Sequence, residues 1–413
     1  MNVPSKRPRL EVADILRAHG QAYRTAHPVS AEQAIVLRRL IACRTAALGG
    51  HVDACDRCGY FRIAYNSCRD RHCPKCQAVK RAQWLQTRLE RLLPVPYFHV
   101  VFTLPEALKP LLLRNPRRLY ELLFQAASQC LLTLAADSKR LGAQVGVTAV
   151  LHTWGQNLLF HPHLHCVVTG GGLAPDGTRW LASRQDYFLP VKVLGRLFRG
   201  KFLAGLKELY EGHRLALSGS VEPLNEPRAF SKWLTRLYRQ DWVVYAKKPF
   251  GGAQQVFRYL GRYSHRVAIS NDRLLALEDG YVFFRWRDYA DEQRTKVMRL
   301  TAEEFVRRFL LHVLPKRFVR IRHYGLLAGR NVSTRWQRCR ELLGESAAAK
   351  APTPPMTWLE LLEQWTGMDF SACPRCEGPL TRYRLEPGTP PPTGGDDFPR
   401  PVLAVTRVSA DSS

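Results

Sequence analysis

Apolar positions at helical spacing, with Leu10, Ile15 and Leu16 on one side, predict a helix over residues 8–27. Ser30 and Gln33 have capping-box spacing, and the helix they open is expected to run to Gly49-Gly50. A polar, cysteine-rich loop from Cys55 to Cys76 comes next, then a basic helix over 77–93. Tyr97 to Leu104 alternates and is rich in β-branched residues, so it predicts a strand. Asn115-Pro116 opens a helix through Ala136. Gly146 to Trp154 and His163 to Thr169 read as two strands of a hairpin, the second ended by Gly170-Gly171-Gly172.

Helices are expected over 193–217 and 230–239, with a short strand from Trp242 to Tyr245. Gly251-Gly252 leads into a helix through His265. Val267 to Ile269, Arg273 to Leu277 and Tyr281 to Trp286 predict a meander, with Asp279-Gly280 as its hairpin turn. Thr301 and Glu304 cap one more helix, and beyond about Ser346 the chain turns Ala/Pro-rich, then Pro/Gly-rich, as linkers and disordered segments do. Hairpins interrupted by helices, without β-α-β alternation, predict an α+β fold on a central antiparallel sheet with flanking helices.

Charge narrows the function classes. The 413 residues carry 62 Lys+Arg against 35 Asp+Glu, a formal net charge of +27, spread among aromatic and apolar positions rather than held in one tail. That distribution suits a folded nucleic-acid surface better than a polybasic membrane arm. No apolar run has the expected length of a membrane span, and no signal core follows the basic residues 1–9, so a cytoplasmic protein with no membrane partner is expected. Eleven cysteines in such a setting argue for metal ligation over a disulfide framework.

Three groups carry candidate chemistry. Cys55-x-x-Cys58 and Cys73-x-x-Cys76 are two thiolate knuckles at a separation that suits one structural zinc, with Cys68 and His72 as substitutes or as part of a second site. Arg57, Arg62, Arg69, Arg71 and Lys75 stud the same loop and make it a candidate DNA-binding element. His163 and His165 share a strand face, either as half of a divalent-metal site or as half-buried packing residues. His152, on the preceding strand, can reach that face as a third ligand; His161 and Gln156 compete for the place. Three imidazoles with open positions suit a catalytic Mg²⁺ or Mn²⁺ on a phosphate. Tyr259 and Tyr263 lie one helical turn apart, beside a row of Arg258, Arg262 and Arg266. The tyrosines are packing residues or, given activation and cations to hold a phosphate, nucleophiles.

Two features carry less. Gly195 to Phe202 nearly spells a phosphate-binding loop, but Phe202 stands where Ser or Thr is required and helical apolar spacing runs through it, so it reads as an amphipathic helix. Cys373-x-x-Cys376 is half of a zinc knuckle or a pair of exposed thiols, with no nearby pair to complete it.

The segment Tyr65-Asn66-Ser67-Cys68-Arg69 through Arg71-His72-Cys73-Pro74 to Cys76-Gln77 resembles the zinc-binding domain of bacterial transposases of the insertion-sequence-ninety-one type. His152-Thr153-Trp154-Gly155 to His165, Tyr259 to Tyr263, Ala268-Ile269-Ser270-Asn271 and Arg320 to Leu327 resemble the two-tyrosine HUH nuclease domain of the same family, in the family's order. The resemblance covers about residues 10–335. It implies an HUH endonuclease fold over 94–340, preceded by a helical, zinc-binding and DNA-binding domain over 1–93 and followed by a tail over 341–413. It further implies single-stranded DNA of element ends and target as substrate, rolling-circle transposition through a 5′-phosphotyrosine, His163 and His165 as metal ligands, and Tyr259 and Tyr263 as nucleophiles. A rolling-circle replication initiator uses the same chemistry; a zinc-dependent DNA-binding regulator without catalysis is the alternative from another class.

Overall fold

The computed structural model describes residues 10–184, 188–247, 268–289, 291–344, 357, 360–361, 363–364 and 367–389. In chain order its helices are α1 (Val12–Ala26), α2 (Ala31–Ala42), α3 (Ala78–Leu89), α4 (Lys109–Arg114), α5 (Pro116–Ala136), α6 (Val191–Glu211), α7 (Pro227–Arg239), α8 (Ala302–Leu310) and α9 (Arg335–Leu342). The strands are β1 (Gly50–Cys55), β2 (Phe61–Tyr65), β3 (Tyr97–Thr103), β4 (Gln144–Trp154), β5 (Phe160–Leu173) and β6 (Trp180–Ala182). They continue with β7 (Val244–Lys247), β8 (Leu274–Glu278), β9 (Tyr281–Asp288), β10 (Arg294–Thr301), β11 (Ile321–Gly325) and β12 (Leu380–Leu385). The fold is α+β with antiparallel sheets, as expected. The chain divides into two units, one of residues 1–83, 265–307 and 354–413 and one of 84–264 and 308–353.

The second unit is built on a six-stranded antiparallel sheet in the order β11-β4-β5-β3-β7, with β6 added to β5. Alternate residues Phe98, Val100 and Phe102, Val147, Ala149 and Leu151, and Leu164, Cys166 and Val168 turn to one face. They meet Leu119, Leu123, Phe124 and Leu131 of α5 and Leu194, Phe198 and Phe202 of α6 in one core. Each buried Val, Leu or Phe among them contributes roughly 1.5–3 kcal/mol by leaving water. Contrary to the expectation that no run is long enough, α5 has the length and apolar composition of a membrane span, but 67% of that window is buried inside the protein. Core packing accounts for its apolarity. Gly195 to Phe202 lies inside α6, with Gly195, Phe198 and Phe202 buried, so the phosphate-loop lookalike is a core helix.

The glycine run does not end β5, which continues to Leu173. At Gly170 a Cβ would sit 2.7 Å from the Pro96 carbonyl oxygen, and at Gly172 it would sit 2.3 Å from that of Gln144. The glycines admit neighbouring backbones at close range rather than breaking the strand.

In the first unit, the Ser30–Gln33 capping box forms as expected, but α2 stops at Ala42, well before Gly49. The segment expected to be a loop from Cys55 to Cys76 contains half of a hairpin: β1 ends at Cys55 and β2 follows. The sheet order is β12-β1-β2. The meander runs β8-β9-β10, with Arg294–Thr301 as its third strand; Ala268 and Ile269 are not in a strand, and Val267 and the helix expected up to His265 lie outside the described residues. Asp279 and Gly280 turn it with φ of +49° and +76°, the left-handed pair of a tight hairpin. Thr301 Oγ1 accepts from Glu304 N at 3.2 Å and caps α8, as the sequence predicts.

Candidate metal centres

β4 and β5 pair so that His152 stands opposite His163, with His165 two residues further along the same face. One ring nitrogen from each of His152, His163 and His165 falls within 4.8 Å of the others. His161, the competing ligand, is exposed and outside the group. Its carbonyl instead accepts the His163 Nδ1 hydrogen at 2.6 Å, which fixes the neutral tautomer and leaves His163 Nε2 as a bare lone pair. His163 Nε2 and His165 Nε2 are 3.0 Å apart. Two ligands about 2.1 Å from one ion at roughly a right angle have that separation.

Burial disfavours the charged form at all three. It lowers His163 to about 4 and pushes His152 and His165 well below the ordinary histidine value, the latter two further lowered by neighbouring imidazoles. The rings are therefore neutral at pH 7, the state that ligates metal. Among the described residues, the group consists of imidazoles alone. A divalent ion held there keeps its full charge for an anionic ligand.

Two further histidines support the centre, and no sequence motif marks either. His99 on β3 stacks on His165 with ring centroids 5.0 Å apart, and its Nε2 lies 2.7 Å from His165 Nδ1. The alternation of the Tyr97–Thr103 strand is the available signal, since it places His99 on the histidine face once β3 is known to neighbour β5. His312 pins the β4–β5 turn: its Nε2 donates to the Leu158 carbonyl at 3.0 Å and its Nδ1 accepts from Thr153 Oγ1 at 3.3 Å. Tyr259, Tyr263, Arg258, Arg262 and Arg266 lie outside the described residues.

The cysteines sort differently from the expected quartet. Cys73 and Cys76 join Cys68 and Cys43, with thiols within 4.8 Å of one another, to give a four-sulfur site that suits structural zinc. Cys43 follows α2 directly and has no knuckle spacing, so nothing in the sequence marks it. Shared protons among these thiols push Cys76 down and Cys73 up. His72 is not in the group; its Nδ1 sits 2.8 Å from Asp70 Oδ1, beside the knuckle. Cys55 and Cys58 do not belong to this site either. Their thiols lie 3.5 Å from Cys376 and Cys373, the pair that has no partner nearby in sequence. The expected quartet divides between two groups, Cys73 and Cys76 meeting Cys43 and Cys68, and Cys55 and Cys58 meeting Cys373 and Cys376, because chain reversal, not sequence spacing, sets which thiols meet.

Of the candidate DNA-contacting arginines here, Arg69 is exposed and Arg71 half-buried. Arg62 is spent on the buried Asp53, with Nε donating to Oδ2 at 2.9 Å.

A family model described as "Transposase zinc-binding domain" matches residues 15–104, and one described as "Putative transposase" matches residues 146–335. The "Putative transposase y4qJ" of Sinorhizobium fredii (strain NBRC 101917 / NGR234) is 52% identical over 386 residues, covering 92% of this chain and 97% of that protein. The "Transposase for insertion sequence element IS801" of Pseudomonas savastanoi pv. phaseolicola is 29% identical over 357 residues, covering 82% of this chain and 80% of that protein. No solved structure matches the chain. With thiolate and imidazole centres inside the two matched regions and near full-length similarity to a transposase, the chain belongs to the insertion-sequence-ninety-one-type transposases.

Proposed function

We propose that this transposase cuts and joins single-stranded DNA through a 5′-phosphotyrosine during rolling-circle transposition. The observation that carries the reading is the convergence of His152, His163 and His165 on one sheet face with neutral rings. These residues would hold a divalent ion, which supplies Lewis-acid polarisation of the scissile phosphate when bound. An all-imidazole set favours the softer Mn²⁺ over Mg²⁺.

Tyr259 or Tyr263 is the nucleophile. Its phenolic oxygen forms a bond to phosphorus, the bond from phosphorus to the 3′ oxygen breaks, and the proton lost by the phenol is balanced by one that the departing 3′ oxygen takes up from water. The products are a phosphotyrosine on the 5′ side and a free 3′-hydroxyl. A phenol with an ordinary pKa near 10 needs help to ionise, and Arg258, Arg262 and Arg266 are close enough in sequence to hold the phosphate being attacked. The second tyrosine permits another cleavage while the first link persists, and the phosphotyrosine conserves the bond energy, so no nucleotide cofactor is required. Arg69 and Arg71 at the zinc site contact element-end DNA.

The test is incubation of the full chain with end-labelled single-stranded DNA and Mn²⁺, followed by denaturing electrophoresis. A covalent adduct is expected, more with Mn²⁺ than with Mg²⁺. It should disappear in Tyr259→Phe/Tyr263→Phe. An adduct that persists in the double variant overturns the nucleophile assignment, and no adduct with any divalent ion overturns the nuclease reading.

A further inference from the structure

We propose a second tetrathiolate zinc site, formed by Cys55 and Cys58 from the β1–β2 hairpin and Cys373 and Cys376 from a segment more than 300 residues later. The four thiols lie within 4.8 Å of one another, with Cys55–Cys376 and Cys58–Cys373 each at 3.5 Å. Sulfurs about 2.3 Å from one tetrahedral ion stand about 3.8 Å apart, so little movement closes the site.

Proximity is not the only argument. The two Cys-x-x-Cys segments have the same backbone fold. Cys55 N donates to Tyr60 O at 2.8 Å and Gly59 N donates to Cys55 O at 3.1 Å. Cys373 N donates to Gly378 O at 2.8 Å and Glu377 N donates to Cys373 O at 2.9 Å. The fourth residue after the first cysteine is left-handed in each, Gly59 at φ +68° and Glu377 at φ +56°. Two matched knuckles facing one another present sulfurs as a zinc ribbon does. A non-glycine residue held left-handed costs free energy that some interaction must offset. With zinc bound, thiolate-metal bonds would supply it.

The approach of the two segments is built into the sheet. β12 pairs with β1 from Gly50↔Leu385 to Cys55↔Leu380. Asp53, 3% exposed on the middle strand, faces Arg62 on β2 and Arg382 on β12. Arg382 Nε donates to Asp53 Oδ1 at 2.6 Å and Arg62 Nε to Asp53 Oδ2 at 2.9 Å, so the buried carboxylate ties the three strands together. Arg62 Nη2 also donates to Phe370 O at 2.8 Å. The site lies partly outside residues 15–104, where the zinc-binding family model matches, so residues 370–385 complete a module whose other half comes near the start of the chain.

The test is metal content of the full chain, purified under reducing conditions, by inductively coupled plasma mass spectrometry. Two zinc per chain are expected, falling to one in Cys373→Ser/Cys376→Ser and to one in Cys68→Ser/Cys73→Ser. One zinc with every cysteine intact, or two in Cys373→Ser/Cys376→Ser, overturns the proposal. Should either variant aggregate, alkylation mapping of the wild type decides. Cys55, Cys58, Cys373 and Cys376 should be protected together when zinc is bound and become reactive together on chelation. Free reactivity of Cys373 and Cys376 in the zinc-loaded protein, or disulfides among the four, overturns it. All zinc counts are taken with His163→Ala added, so that the imidazole centre contributes no ion, and the alkylation outcomes do not depend on the nuclease reading.

Discussion

At His165 one imidazole has two neighbours to satisfy, His99 at Nδ1 and His163 at Nε2. Two tautomer patterns do so. In one, a proton lies between His165 and His163. In the other, His165 gives its Nδ1 hydrogen to His99, and two bare Nε2 lone pairs face each other, which is stable only with a cation between them. His99 is thus a positioning residue for the second pattern. His99→Ala is expected to weaken Mn²⁺ binding about 10–100-fold with the fold intact, read by calorimetry. His163→Ala removes a ligand outright, and calorimetry should show Mn²⁺ binding lost beyond that range. Equal, small effects of the two substitutions would mean that His99 and His163 do not hold the roles assigned to them.

Elements decide how accurately the face is presented. β5 reaches Leu173 because Gly170 and Gly172 let Pro96 and Gln144 backbones approach. Gly172→Ala puts a methyl 2.3 Å from a carbonyl oxygen of the paired strand, so it should cost about 1–3 kcal/mol, read as a lower thermal midpoint. At the sheet edge, His323 of β11 shares a hydrogen bond with Thr148 of β4 at 3.0 Å. Burial, then Arg88 and Arg91, lowers its pKa to about 4. The unfolded chain, at an ordinary value near 6.5, binds that proton more readily, so stability is held above about pH 6.5 and lost as pH falls towards 4. His323→Gln should flatten the thermal midpoint across that window; an unchanged slope would show that His323 contributes nothing to it.

At the scale of the whole molecule, the net charge of +27 sets how the protein meets a polyanion. α7 concentrates some of it, presenting Arg228, Lys232, Arg236 and Arg239 as exposed side chains at helical spacing. If roughly eight phosphates are neutralised, affinity for single-stranded DNA should fall about a thousandfold between 50 and 200 mM salt. Lys232→Glu/Arg236→Glu should weaken binding to all sequences alike and flatten the salt slope, measured by fluorescence anisotropy. An unchanged slope would exclude α7 from the DNA path. The sheet β12-β1-β2 also ties residues 380–385 to the strand at 50–55. A chelator should therefore expose both segments to protease together.

Local rules suffice for much of this protein. Capping at Ser30 and Thr301, the Pro116 helix start, the Asp279-Gly280 turn and the His152/His163/His165 face all follow from interactions between residues near in sequence or from strand alternation, so the sequence by itself determines them. What the tertiary structure alone decides depends on pairing across long sequence separations. It gives Cys43 to the Cys68/Cys73/Cys76 group and Cys373 and Cys376 to Cys55 and Cys58, and it sets His99 against His165. Spacing motifs cannot encode such partners, because a metal or hydrogen-bond partner is selected by position in space, and that position is set only when the sheets assemble.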